Sequence, residues 1–252
     1  MSQLYFASSI GKKKPVTVNN QNTACPFCQT SELQNIIEMD ESIILLKNKY
    51  PTLQKTLQLV LIETDDCFGN LSFYDKKHLY KLLKFGIRHW LKLEKDPQYQ
   101  SVIFYKNHGP LSGGTIRHPH MQIVALEDVD YKSKIEPKYF QGVEIYKDNS
   151  VEFNISSFPI MGFREFNVKL FDMEKVETMG DCIQTAVRFL VDNPESKCDS
   201  YNLFFYNMGE YIVCKIVARY VVSPLFVGFM IPQVANDIER TAEKVKEDFL
   251  HL

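Results

Sequence analysis

The sequence predicts an α+β fold made of two tandem copies of one unit, packed as an intramolecular pseudo-dimer. Three observations carry this. Each half runs strands, then one amphipathic helix, then strands again, the order expected of one α+β unit duplicated in tandem. The 252 residues are 45% hydrophobic and 24% charged, an ordinary globular balance that supplies a large core. No apolar run reaches the roughly 20 residues a bilayer requires; the longest, Tyr220 to Pro232, is broken by Ser223, Pro224 and Gly228.

Along the chain, Met1 to Ala24 is polar with no helical period. Its Gly-Lys-Lys-Lys follows a short apolar patch, the reverse of a secretory signal's order, so the cytoplasm is the expected location. Ile43 to Tyr50 and Gln58 to Glu63 read as strands between turn-like segments. Ser72 is the expected N-cap of a helix running to about Glu94, because Leu79, Leu82, Leu83, Ile87, Trp90 and Leu91 recur at helical spacing. Val102 to Lys106 is β-rich, Asn107 to Thr115 is a Gly-Pro-Ser loop, and Ile116 to Leu126 reads as a strand. The second half gives strands at Val151 to Ile155 and Phe166 to Leu170, a helix from about Glu174 to Val191, and strands at Tyr201 to Tyr206 and Tyr211 to Val222. A helix at about Val234 to Phe249 closes it. The boundary falls near Pro137 to Asn149, separating 1–145 from 146–252.

Charge and cysteine content narrow the function. Lys plus Arg number 29 against 31 for Asp plus Glu, a net charge of −2, so no broad basic surface for nucleic acid is expected and any phosphate is held locally. Six cysteines are too sparse for a disulfide scaffold, and Cys25 and Cys28 have the C-x₂-C spacing of a metal clip. Cys182, Cys198 and Cys214 lack mutual ligand spacing and read as core. His89 and Trp90 read as packing or surface residues of the long helix, and His78 as exposed.

The chemistry concentrates in Asn107-His108-Gly109-Pro110-Leu111-Ser112-Gly113-Gly114-Thr115-Ile116-Arg117-His118-Pro119-His120-Met121-Gln122. On a strand, side chains two apart share a face, so His118, His120 and Gln122 are expected to point the same way. Gly109, Gly113 and Gly114 let the preceding backbone turn several N–H groups toward an anion, and Ser112 and Thr115 add hydroxyl donors.

This stretch resembles, position for position, the active-site segment of the galactose-1-phosphate uridylyltransferase family, a branch of the histidine-triad superfamily. There Asn-x-Gly leads through a Gly-Ser-rich loop to His-Pro-His-x-Gln. Cys25-Pro26-Phe27-Cys28 is similar to the family's zinc knuckle, and Asn48-Lys49-Tyr50-Pro51-Thr52-Leu53 to its nucleotide-binding turn, in the family's order. The resemblance covers residues 25–126 and extends faintly over 151–230. It implies a histidine-triad-like antiparallel sheet with packed helices, catalytic in residues 1–145 and degenerate in 146–252. It implies a zinc-containing nucleotidyltransferase in which His120 attacks the α-phosphorus of a nucleotide and becomes a nucleotidyl-histidine, with Gln122 bonding the phosphoryl oxygens. Asn48, Asn107, Ser112, Gly113, Gly114 and Thr115 would bind substrate. Cys67 stands where the family has a zinc-binding histidine, so Cys25, Cys28, Cys67 and His118 would hold Zn²⁺, with His78 and His108 as rival ligands.

Glutamine at position 122, where the superfamily's hydrolases commonly carry histidine, looks more like the transferase and phosphorylase branches. The implied partners are a nucleotide or nucleotide-sugar donor and a phosphorylated acceptor, with a homodimer also open and neither nucleic acid nor membrane expected. The alternatives are a dinucleoside-polyphosphate or nucleotide-sugar phosphorylase or hydrolase, and a non-catalytic nucleotide-binding protein. Gly114 and Arg117 depart from the family pattern, and Arg117 is expected either to contact a phosphate or to face solvent. Val213-Cys214-Lys215-Ile216-Val217-Ala218-Arg219 replaces a second histidine pair, so a second metal site is not expected. Lys215 and Arg219 could serve an acceptor phosphate or lie on a solvated edge.

Overall fold

The computed structural model describes residues 3–19, 23–194 and 196–252. Met1, Ser2, Asn20, Gln21 and Asn22, part of the segment read as lacking helical period, lie outside them. The chain divides into two units: residues up to Asn70 with Lys81–Lys134, and Leu71–Tyr80 with Ile135–Leu252. No helix among the described residues is long and apolar enough to cross a membrane.

In the first unit a one-turn helix α1 (Ser8–Gly11) precedes strands β1 (Ile36–Asp40), β2 (Ile43–Lys47) and β3 (Thr56–Ile62), then helix α2 (Lys76–Glu94), of which Lys76–Tyr80 falls to the second unit, then β4 (Ser101–His108) and β5 (His120–Leu126). All pairings are antiparallel, in the order β1-β2-β3-β5-β4. The second unit has β6 (Gly142–Lys147), β7 (Val151–Ser156), β8 (Glu165–Leu170), helix α3 (Val176–Asp192), β9 (Tyr201–Asn207) and β10 (Ile212–Ala218). Its order is β6-β7-β8-β10-β9. Both units are therefore a three-strand meander, a helix and a hairpin whose second strand returns beside the meander's third. The chain is an α+β tandem repeat. Two helices, α4 (Pro224–Phe229) and α5 (Ile238–Asp248), follow.

Strand alternation decides what each face of the first sheet does. Leu61 on β3 pairs with Met121 on β5, and Leu61 and the Phe104 ring both approach Gly86 of α2. A Cβ at Gly86 would lie 2.7 Å from that ring, which explains a glycine in mid-helix. The helix presses Leu79, Leu82, Leu83, Ile87 and Trp90 out of solvent, with the Trp90 indole N–H donating to the Val102 carbonyl at 2.9 Å. On the opposite face Val60 pairs with Gln122 and Ile62 with His120. Ile44, Leu46, Val60 and Ile62 cluster there, with Phe27 and Leu33 packed against them, as an apolar floor.

Several local readings need correction. Helix α2 is capped by Asp75, whose side chain accepts from His78 N–H at 3.0 Å, while Leu71–Phe73 forms a separate 3₁₀ turn that includes Ser72. β5 begins only at His120, so 116–119 is loop. The last strand stops at Ala218, and Pro224, unable to donate to a ladder, opens α4 with Ser223 as cap. His78 is half-buried, edge-on to Tyr74 at 5.0 Å.

Candidate functional site

The apolar floor and the glycine loop enclose a cleft of about 260 Å³, just under the roughly 300–1,000 Å³ of small-ligand sites. Asn48, Asn107, Gly113, Gly114, Thr115, His120 and Gln122 all line it. Asn48 is fixed by the turn it starts: its side-chain oxygen accepts from Tyr50 N–H at 2.8 Å, and its own N–H donates to the Gln58 carbonyl at 2.8 Å. Gly113 sits at φ +87° with open space where a Cβ would stand, so the backbone there is bare toward a ligand. Ser112 does not line the cleft. It is buried, and its hydroxyl donates to the Gly109 carbonyl at 2.7 Å and accepts from Gly114 N–H at 3.4 Å, holding the loop's shape.

His120 and Gln122 share the cleft face of β5, whereas His118 does not join them. Because the strand starts after Pro119, His118 turns away, fully buried, with Nδ1 3.5 Å from Cys28 Sγ and Nε2 2.7 Å from the Thr64 carbonyl. That carbonyl can only accept, so Nε2 carries the proton and Nδ1 presents its lone pair to the cysteines. The same reasoning fixes His120: its Nδ1 donates to the His118 carbonyl at 2.8 Å, leaving the Nε2 lone pair as the reactive nitrogen. Burial holds the His120 ring well below the ordinary imidazole value, at about 4, so it is neutral near pH 7. Phe27 packs edge-on against both rings, 5.9 Å from His118 and 5.3 Å from His120.

Cys25, Cys28, Cys67 and His118 bring four ligand atoms within 4.8 Å of one another, a group that could hold a metal ion. Neither His78 nor His108 belongs to it. Tetrahedral zinc with bonds of about 2.0–2.3 Å would draw such atoms only slightly closer, and three thiols with an imidazole are a soft donor set that suits it. Arg117 lies beside this cluster rather than on a phosphate or in solvent. Its guanidinium stacks 4.5 Å above the Phe68 ring and donates to Cys67 Sγ at 3.5 Å. Burial pushes the Cys67 thiol up, but Arg117 and the neighbouring thiols outweigh it and hold it below its ordinary value.

Lys215 is likewise far from any acceptor role. It is wholly buried, 2.9 Å from Glu165 and 2.9 Å from Asn167 Oδ1, and it donates to the Tyr139 carbonyl. Arg219 donates to Asn202 Oδ1 at 2.8 Å. Cys182, Cys198 and Cys214 are buried in the second unit. Sequence reasoning missed Lys14, which also lines the cleft. Nothing in the run Lys12-Lys13-Lys14 singles it out, since the distinction comes from the turn that follows α1.

In comparison with known proteins, residues 6–129 match "Domain of unknown function (DUF4931) N-terminal domain" and residues 132–250 its C-terminal domain. A crystal structure of a DUF4931 family protein from Bacillus cereus ATCC 10987 is 46% identical, with a TM-score of 0.77, covering 84% of this chain and 97% of that one. A galT-like protein from Arabidopsis thaliana, 16% identical, superposes with a TM-score of 0.74 over 91% and 92% of the two chains. An ADP-glucose phosphorylase from the same plant, solved with bound ADP-glucose, is 15% identical, with a TM-score of 0.74 over 94% and 93%. These two share their fold with this chain. No curated protein matches the sequence.

Proposed function

Since the chain belongs to the DUF4931 family along nearly its whole length, and its fold is that of galT-like proteins, we propose that it is a nucleotidyltransferase working through a nucleotidyl-His120 intermediate. The observation that carries this is the His120 ring: neutral, lining the cleft, with Nδ1 tied to the His118 carbonyl and Nε2 left as the nucleophile.

In the first step Nε2 attacks the α-phosphorus of a bound nucleotide donor in line. The new N–P bond forms as the bond to the leaving phosphate or sugar phosphate breaks, and the leaving group departs with that electron pair. No base is needed, because the neutral ring has no proton to lose at Nε2. The ring turns cationic, which strengthens the Nδ1–H bond to the His118 carbonyl just as charge develops. Gln122, on the same face, donates to the phosphoryl oxygens. In the second step an acceptor phosphate oxygen attacks the same phosphorus and restores neutral His120.

The cysteines and His118 fit Zn²⁺, which would supply structural order rather than chemistry, since four protein ligands close its coordination. His118 would then serve twice, as a ligand through Nδ1 and as the holder of the nucleophile through its carbonyl.

The fold shared with an ADP-glucose phosphorylase supports a second reading, in which inorganic phosphate is the acceptor. One experiment tests both. The protein is incubated with α-³²P-labelled nucleotides and nucleotide sugars, and an acid-labile, base-stable adduct is sought. The adduct is then chased with a hexose 1-phosphate or with inorganic phosphate. Discharge by the sugar phosphate supports transfer, discharge by phosphate supports phosphorolysis, and absence of any adduct across the panel overturns the covalent mechanism.

A further inference from the structure

Arg117 carries its charge into a place where its guanidinium has one hydrogen-bond partner among the described residues. The group stacks 4.5 Å above the Phe68 ring, and Nη2 donates to Cys67 Sγ at 3.5 Å. Nε and Nη1 are shut off from solvent with no hydrogen-bond partner among the described residues. The backbone aims the side chain there. Arg117 N–H donates to the Thr17 hydroxyl at 2.9 Å, and Thr17, fully buried, donates its own N–H to the Thr115 carbonyl at 2.8 Å. Thr17 ends an N-terminal segment that crosses the cleft from the turn begun by Asn48, where Ala7 N–H donates to the Thr52 carbonyl at 2.7 Å. Desolvated guanidinium nitrogens are costly without a counter-charge, so a negative group within reach has to account for this position.

The four-ligand cluster supplies that charge when it holds a metal. Cys25, Cys28 and Cys67 ligate as thiolates and His118 as a neutral imidazole, so Zn²⁺ there leaves the centre with a single negative charge. Two thiolates with two imidazoles would leave it neutral. The ligand-bearing segments do not correct the excess themselves. Residues 64–70, which present Cys67, add Asp65 and Asp66 and no basic residue, and Cys25-Pro26-Phe27-Cys28 has none either. Arg117, next in sequence to His118 and in contact with Cys67, is the cation placed at the ligands.

We infer that Arg117 is a positioning residue of the metal centre: it neutralises the excess charge of a three-thiolate zinc site and holds Cys67 by a hydrogen bond to its sulfur. The inference rests on the zinc reading above and adds the residue that makes a third thiolate tenable in a partly buried site. A ligating sulfur keeps lone pairs free, so it accepts the N–H while it binds the metal. The compensation also acts close to the nucleophile's support, since His118 faces the thiols through Nδ1 while its carbonyl holds His120.

Zinc affinity of the full chain, measured by competition with a chromophoric chelator, tests this. The proteins compared are wild type, Arg117→Met, Arg117→Lys, Cys67→His, and Cys67→His combined with Arg117→Met. Arg117→Met is expected to weaken zinc binding by roughly 10–100-fold, the usual effect of losing the partner of a metal ligand. Arg117→Lys, which keeps the charge, should stay within about threefold of wild type on that scale. With Cys67→His the centre is already neutral, so adding Arg117→Met should cost less than about threefold. Wild-type affinity in Arg117→Met, an equal loss in the Met and Lys variants, or an equal loss with Cys67 and with Cys67→His would assign Arg117 to packing on Phe68. Each of these overturns the inference while the zinc reading stands. If Cys67→His takes up no zinc, the comparison of Arg117→Lys with Arg117→Met decides alone. A wild-type chain that takes up no zinc overturns both.

Discussion

Lys215 shows how far burial changes what a charged residue can do. Its ammonium meets Glu165, Asn167 and the Tyr139 carbonyl with no solvent contact, and Glu165 in turn accepts from the N–H groups of Ile160, Met161 and Gly162 at 2.8, 2.8 and 3.1 Å. Removing one partner of a buried pair strands the other charge, so Lys215→Met should lower stability by about 3–5 kcal/mol. The midpoint of urea unfolding would show it, and a midpoint equal to wild type would contradict it. Strand spacing alone put Lys215 and Arg219 on one side. The strand ends at Ala218, so period 2 does not reach Arg219, and the period states which residues share a face and not whether the face is wet. His118 shows the converse error. His-Pro-His was legible as chemistry, yet the shared face of His118 and His120 assumed a strand that starts only at His120, and the loop before it is what lets one histidine face the thiols and the other the cleft.

Among the elements, the sequence shows most clearly those that bury a stripe. Helix α2 follows its leucines at helical spacing, and α3 buries Met179, Cys182, Ile183, Ala186 and Leu190 in the same way. The strands β1 and β6 stayed hidden because each lies at one end of its unit's strand order, pairs on one side within it, and has a mostly exposed burial pattern. At the start of α2, Asp75 rather than Ser72 accepts the free N–H of His78. Asp75→Ala should therefore cost about 1 kcal/mol, and Ser72→Ala should not act through the cap; a larger thermal shift in Ser72→Ala than in Asp75→Ala would reverse the assignment. The cysteine cluster draws on three separate segments, the turn at Cys25 and Cys28, the loop at Cys67 and the loop at His118, so its loss should loosen all three. Purified protein is expected to hold about one zinc per chain. Chelation should lower Tm by roughly 5 °C, the shift of ~2 kcal/mol in a chain of this size. Cys67→Ala should abolish stoichiometric metal, and a full complement of zinc in that variant would remove Cys67 from the site.

For the chain as a whole, the two repeats share a topology, and the cleft with His120 and Gln122 lies in the first. Ile62 faces His120 across the ladder of β3 and β5, and Leu170 faces Ile212 across the corresponding ladder of β8 and β10. By that register Ile212 and Cys214 stand where the first repeat has His120 and Gln122, and both are buried. The repeated order of strands and helix is visible in hydrophobic patterning, and the half that holds the His120 cleft is marked by its motif. The cleft-spanning N-terminal segment is not visible, because its order comes from backbone bonds to residues 52–54 and 115–117, which leave no periodic trace in side chains. The central claim is that the nucleotidyl group passes through His120. Intact-mass and peptide analysis of wild type and His120→Asn, after incubation with the donor that labels, tests it most directly. The account predicts one nucleotidyl group per wild-type chain, on His120, and none on His120→Asn, with turnover lost while Tm is retained; an adduct on any other residue, or wild-type turnover by His120→Asn, would contradict it.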